Sequence, residues 1–335
     1  QRQMCIRDST SPVQLSTTHY ASSGVYLKAS KITDLQADIS VKTFLSNALK
    51  SNQSLILETE ILDADGNRVA LSQKKVNVKA EEKNVAFESL MTITQPKRWD
   101  VDSPYIYKVY SRLKNKKEEV LDCVVNPLGI REYRFDAEKG FFLNGKYRKL
   151  IGTSRHQDYK GMGNALRDEM HIRDVQLSKD MGSNFLRVAH YPQDPVVMQM
   201  CDKLGLLTSV EIPIVNAITQ SRAFMDNCVE QATEMVYQNH NYPSVIIWAY
   251  MNEVLLRPPF NPDNKKERAE YMKSLHQIAS AVEAQIRSLN SERYTMLPCH
   301  STSQIYQEAG IAELPMLLGF NLYNGSVSYT HLTLT

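Results

Sequence analysis

Apolar and polar positions alternate in short stretches through residues 10–130, with polar turns between them. Ala37-Asp38-Ile39-Ser40-Val41-Lys42-Thr43 and Leu55-Ile56-Leu57-Glu58-Thr59-Glu60-Ile61 carry this period of two, which sets alternate side chains on one face of a strand. A turn at Asp63-Ala64-Asp65-Gly66-Asn67 follows, and further strands are expected at Lys75–Val78, Ala86–Ile93 and Ile106–Leu113. About seven short strands without helical periodicity predict an immunoglobulin-like β-sandwich.

Near residue 137 the rhythm changes to apolar runs separated by longer amphipathic segments. Strands are expected at Lys149–Thr153, Asn184–Ala189, Leu206–Glu211, Val245–Met251, Tyr294–Pro298 and Met316–Asn321. Helices are expected between them, at 168–181, 194–204, 221–239 and 265–288. Asp168-Glu169 opens the first helix, where the helix dipole favours negative charge. Repeated β-α units with right-handed crossovers build a parallel sheet, either doubly wound or closed as a barrel. Gly152-Thr153-Ser154-Arg155-His156 after the first strand contains no GxGxxG loop, which weighs against a doubly wound nucleotide enzyme. Six strands are countable against the eight of a complete (β/α)8 TIM barrel. The fold class is therefore multidomain, β followed by α/β: a sandwich at 10–130 and an incomplete barrel at 131–326.

Composition narrows the partners. A formal charge of +2 gives no global field toward nucleic acid or acidic membranes. The basic run Lys114-Asn115-Lys116-Lys117 passes directly into Glu118-Glu119, as a solvated hairpin tip would. No run of about 18 apolar residues exists to form a membrane span. Cysteines 5, 123, 201, 228 and 299 lack ligand-like spacing and are read as buried thiols.

Met4-Cys5-Ile6-Arg7-Asp8 can be encoded by ATG TGT ATA AGA GAC, which resembles a transposase-type sequencing adapter. The complementary strand, in another frame, reads Ser328-Tyr329-Thr330-His331. Residues 1–9 and 327–335 are accordingly expected to be adapter scars.

Catalytic side chains of parallel barrels stand at the C-terminal ends of the strands. Those ends carry His156 and Asp158, then Arg187 and His190, then Glu211, Asn252-Glu253, and Asn321 with Tyr323. Glu253 stands out, because Val245-Ile246-Ile247-Trp248-Ala249-Tyr250-Met251 before it is so apolar. Burial disfavours the charged form of a carboxyl group, which suits a general acid. Trp248 and Tyr250 are read as core.

The order of these segments resembles glycoside hydrolase family 2. Pro127-Leu128-Gly129-Ile130-Arg131 and Phe142-Leu143-Asn144-Gly145-Lys146 resemble that family's sandwich-to-barrel junction. Arg155-His156-Gln157-Asp158, Asn184-Phe185-Leu186-Arg187, His190-Tyr191-Pro192, Glu211-Ile212-Pro213 and Tyr242–Trp248 leading to Asn252-Glu253 follow in its order and spacing. Trp99 and Pro104-Tyr105-Ile106-Tyr107 resemble its sandwich, and Thr10–Gln14 the tail of the jelly-roll domain that normally precedes it.

The resemblance implies a retaining hydrolase that removes a terminal β-linked sugar. Glu253 corresponds to the acid/base and Asn252 to the residue holding the sugar 2-hydroxyl. Arg187 corresponds to the arginine that fixes the nucleophile, and Tyr323 to the tyrosine bonded to it. His156, Asp158 and His190 correspond to the lining of the sugar pocket, and Glu211 to a supporting position. The nucleophile belongs to a seventh strand past Gly325, so the fragment alone is expected to be inactive. Val215 and Ala217 stand where magnesium-dependent members carry Glu and His, so neither metal nor cofactor is expected. The implied partner is a carbohydrate, with no nucleic acid and no membrane; a homo-oligomer of the full-length protein and any compartment remain compatible. Thr18–Tyr26 resembles β-galactosidases, with β-glucuronidase as the alternative. A carbohydrate-binding barrel that has lost its chemistry is a further alternative.

Overall fold

In the computed structural model, residues 13–15, 19–300 and 304–322 are described. Eight strands form the N-terminal sandwich: β1 (Val13–Leu15), β2 (Val25–Ser30), β3 (Gln36–Asn47), β4 (Gln53–Leu62), β5 (Arg68–Val78), β6 (Val85–Thr94), β7 (Tyr107–Lys114) and β8 (Val120–Leu128). One sheet orders β1-β3-β2 with β6 on β3, and the other orders β5-β4-β7-β8, all antiparallel. The period of two becomes the core directly. Ile39, Val41 and Leu45 from one sheet and Leu55, Leu57 and Ile61 from the other are almost wholly buried in one cluster.

Turn chemistry joins the strands. Asp63 Oδ1 accepts from the Asp65 and Asn67 backbone N–H groups, and Gly66 takes φ +87°. Asn115 closes the β7–β8 hairpin by accepting from the backbone of Lys117 and Glu119; Lys116 and Lys117 form an exposed tip, while Lys114 turns back to Glu58.

A small antiparallel sheet of β9 (Tyr133–Asp136), β10 (Gly140–Leu143) and β11 (Lys146–Arg148) follows. Next comes a six-stranded parallel sheet in chain order: β12 (Gly152–Arg155), β13 (Phe185–Val188), β14 (Leu207–Glu211), β15 (Val245–Ala249), β16 (Tyr294–His300) and β17 (Leu317–Asn321). Its helices are α1 (Asp168–Asp180), α2 (Pro195–Leu204), α3 (Arg222–Asn239), α4 (Lys265–Leu289) and the short α5 (Gln304–Glu308). The arrangement is part of a TIM barrel. Asp194 caps α2 by accepting from Val196 N, Pro195 opens it, and Gly205 ends it at φ +72°.

The chain clusters into two compact units, residues 1–186, 194–208 and 237–245 in one and 187–193, 209–236 and 246–335 in the other. The first unit contains the sandwich and the starts of several barrel strands. Within it the Trp99 indole donates to the Asp202 carbonyl at 2.8 Å. Arg131 donates to the carbonyls of Pro243 and Val245, and Asn241 offers one amide to Leu27 N and Val25 O as a neighbouring strand would. A Cβ on Gly129 would lie 2.5 Å from Pro243 Cβ, so only glycine fits that approach.

Three expectations need correction. The first barrel strand is Gly152–Arg155, not Lys149–Thr153. Ile151 is 56% exposed, and a Cβ on residue 152 would fall 1.6 Å from Phe185 O, so close backbone approach rather than apolar character defines this strand. The fourth strand ends at Ala249, because the chain turns away at Met251. Cys123 faces outward on β8 and is exposed, whereas Cys201, Cys228 and Cys299 are buried thiols as expected. Cys5, Tyr323 and the suspected scars lie outside the described residues. Among the described residues no helix is long and apolar enough to cross a membrane.

Candidate active site

The second unit contains the ends of β14, β15 and β17, and the candidate chemistry gathers there. All five residues of β15 are buried, so its backbone is fixed in the core before the polar residues begin. Past Ala249, Met251 and Glu253 adopt left-handed φ angles of 61° and 53°. Such conformations cost about 1–2 kcal/mol for a residue with a Cβ, and they persist only where surroundings enforce them. Backbone hydrogen bonds do so here. Tyr250 N donates to Met296 O and Glu253 N to Pro298 O, while Asn216 N donates to Asn252 O and Leu256 N to Glu253 O. The turn leaves Asn252 and Glu253 only 4% and 8% exposed.

Arg187 organises the polar cluster. Its Nε donates to Glu211 Oε1 at 2.6 Å, its Nη2 to Asn252 Oδ1 at 2.8 Å and its Nη1 to Asn321 Oδ1 at 3.0 Å. Three of the five guanidinium N–H groups are thereby committed, in the planar fork that lysine cannot reproduce. Glu211 is 1% exposed and also faces His190 Nδ1 at 2.9 Å. A carboxylate oxygen opposite Nδ1 makes that nitrogen the protonated one. Asn321 Nδ2 then donates to Glu253 Oε1 at 2.6 Å and to Asn252 Oδ1 at 3.0 Å. Arg187, His190, Asn252 and Glu253 are thus connected through Glu211 and Asn321.

Neighbouring groups have quieter roles. Burial pushes the Cys299 thiol up to about 12, so it stays protonated at neutral pH and is no nucleophile. Burial likewise raises Tyr306, whose hydroxyl accepts from His300 N. Val215 and Ala217 are half-buried in the loop whose Asn216 bonds Asn252, and their side chains offer no atom to a metal.

His156 and Asp158 belong to the first unit, both exposed in the loop leaving β12. That loop is anchored at its next residue, where the Tyr159 hydroxyl donates to Asp174 Oδ1 at 2.5 Å. Arg155, at the end of β12, holds the other oxygen of Asp174. Asn321 is absent from the candidate residues chosen by resemblance, although its place at a strand end was visible. The signal available was the recurrence of polar residues at the same end of successive strands.

The profile of Glycosyl hydrolases family 2, TIM barrel domain, matches residues 136–323, and that of Glycosyl hydrolases family 2 matches residues 22–131. The chain belongs to glycosyl hydrolases family 2. Among similar proteins, a beta-glucuronidase of Bacteroides fragilis is 35% identical over 274 residues, covering 79% of this chain and 38% of the relative. Beta-galactosidase BoGH2A of Bacteroides ovatus is 31% identical over 242 residues, covering 71% and 28%. The structure of Bacteroides uniformis beta-glucuronidase 2 covalently bound to cyclophellitol-6-carboxylate aziridine superposes with a TM-score of 0.90 at 35% identity, covering 94% of this chain and 38% of that one. The chain therefore spans well under half the length of these relatives.

Proposed function

We propose that this chain carries the acid/base half of a retaining exo-glycosidase, with Glu253 as the proton donor. The observation that supports it most is Glu253 in the turn that follows the fourth barrel strand, shielded from bulk water and hydrogen-bonded into the Arg187 cluster. Glu253 would protonate the glycosidic oxygen as a second carboxylate attacks the anomeric carbon, the two standing about 5–5.5 Å apart. By resemblance that second group belongs to a strand following β17. Glu253 would then take a proton from the water that releases the sugar. Asn252 would hold the 2-hydroxyl. Arg187, two of whose N–H groups take no partner among the described residues, would face the nucleophile, and Tyr323 would bond it. His190 would line the sugar pocket. Covalent attachment of an aziridine to a relative supports the two-step, retaining course.

The substrate is a terminal β-linked pyranoside. Resemblance at Thr18–Tyr26 favours a galactoside, whereas relatives at 35% identity bear glucuronidase names and one at 31% a galactosidase name. We put the β-glucuronide first, and comparing aryl β-glucuronide with aryl β-galactoside turnover decides between them. For the proton donor, Glu253→Gln in the full-length gene product should lower kcat/KM about 10²–10⁴-fold for substrates with poor leaving groups. Substrates with activated aryl leaving groups should be affected far less. Equal losses on both would refute the assignment.

A further inference from the structure

The Arg187 cluster has a fixed hydrogen-bond direction, and that direction ends on one oxygen of Glu253. A guanidinium only donates, so the Asn321 oxygen must face Arg187 Nη1 and its NH2 group must face away. The NH2 group meets Asn252 Oδ1 and Glu253 Oε1, both of which accept. Asn252 Oδ1 also accepts from Arg187 Nη2, so neither amide can flip without setting donor against donor. An N–H aimed at Glu253 Oε1 from 2.6 Å excludes a proton from that oxygen's inner side. Among the described residues Oε2 takes no side-chain partner.

We propose that Asn321 is the positioning residue that selects which oxygen of Glu253 carries the catalytic proton. It occupies Oε1 in both protonation states and leaves Oε2 to bear the hydrogen; the inference rests on the acid/base reading of Glu253. In the first half-reaction the Oε2–H bond breaks and the proton passes to the glycosidic oxygen. That oxygen's bond to the anomeric carbon breaks with its electron pair staying on oxygen, while the nucleophile's pair forms the new bond. In the second half a water proton returns to Oε2 as the water oxygen bonds the anomeric carbon and the enzyme carboxylate departs. Asn321 neither gains nor loses a proton in this cycle. It is a filter for geometry, set by a residue 134 positions earlier in the chain.

The test compares two substrates of the full-length gene product, one with a poor and one with an activated aryl leaving group, in four forms: unaltered, Glu253→Gln, Asn321→Ala and Asn321→Asp. Asn321→Asp keeps an acceptor for Arg187 but sets a charged acceptor against Glu253, whereas Asn321→Ala removes the donor without adding charge; a loss shared by both variants reports the missing donor. Both Asn321 variants should lose about 10–100-fold in kcat/KM on the poor leaving group, the range a misplaced catalytic group causes, and much less on the activated one. Equal losses on both substrates, or no loss on either, would overturn the role of Asn321 while leaving Glu253 intact. If Glu253→Gln itself shows no preference for the activated substrate, the acid/base reading fails first and the positioning role with it.

Discussion

Glu58 in the sandwich and Glu211 in the barrel are both buried carboxylates facing cations, and they use the pairing differently. Glu58 sits on β4 directly across from Gln73 on β5 and Arg112 on β7, with Lys114 two residues further on. It accepts from all three side chains at 2.5–3.1 Å. Cross-strand neighbours at this register meet because sheet geometry brings them together. Lys114 and Gln73 end on Glu58, and Arg112 adds a bond to Glu60. The cluster runs outward to the surface, where Glu60 also faces Arg68 at 3.9 Å. Glu211 instead holds Arg187 by one N–H and leaves the rest of its fork to two amides, one of which reaches Glu253. The same ion pair satisfies charge in one region and transmits orientation in the other.

Replacing each carboxylate by its amide tests this contrast, because Glu211, Glu58 and Glu60 are 1%, 9% and 17% exposed at the side chain. Glu211→Gln should cost most, about 3 kcal/mol, since its NH2 would oppose a donor from Arg187 or His190 in a dry site. Urea unfolding followed by tryptophan fluorescence measures it, as Trp99 and Trp248 are both fully buried. A loss below about 1 kcal/mol would make the barrel pair no different from the sandwich one. Glu58→Gln should cost about 1–2 kcal/mol, because Lys114 and Arg112 can still reach water.

Burial alone would raise the Glu58 carboxyl, but hydrogen bonds from Lys114, Gln73 and Arg112 outweigh it and hold the group below its ordinary range. A depressed folded value adds stability that is present above the unfolded value, about 4.3, and lost as pH falls through the folded one. The difference between the unaltered chain and Glu58→Gln should therefore stay constant from neutral pH to about 4.3 and shrink below it. A difference that grew on acidification would contradict the pairing. Glu60→Gln, whose partners Arg112 and Arg68 lie at the surface side of the sheet, should cost under about 1 kcal/mol.

Legibility followed the range of the forces involved. The alternation in β3 and β4 was plain because burial on one face is written every second residue. β2 goes unnamed because its buried residues Val25–Leu27 are consecutive, β8 because two of its alternating buried positions are the polar Asp122 and Asn126, and β12 is misplaced because a glycine contact sets it. In the site, Arg187, His190, Asn252 and Glu253 were readable from their places at strand ends. Glu211 was readable only as a supporting position, and its two partners appear once the strands are side by side.

The sequence by itself determined the two patterns, period two then strand–helix repeats, and the set of polar groups that end the barrel strands. Those follow from local burial and turn chemistry, which each short segment carries alone. Only the tertiary structure decided which groups touch, because hydrogen bonds among residues 187, 211, 252, 253 and 321 depend on backbones brought together by sheet formation. The left-handed turn at Met251 and Glu253 belongs to the same category. No propensity asks for it, and contacts from β16 and from the Asn216 and Leu256 segments hold it in place.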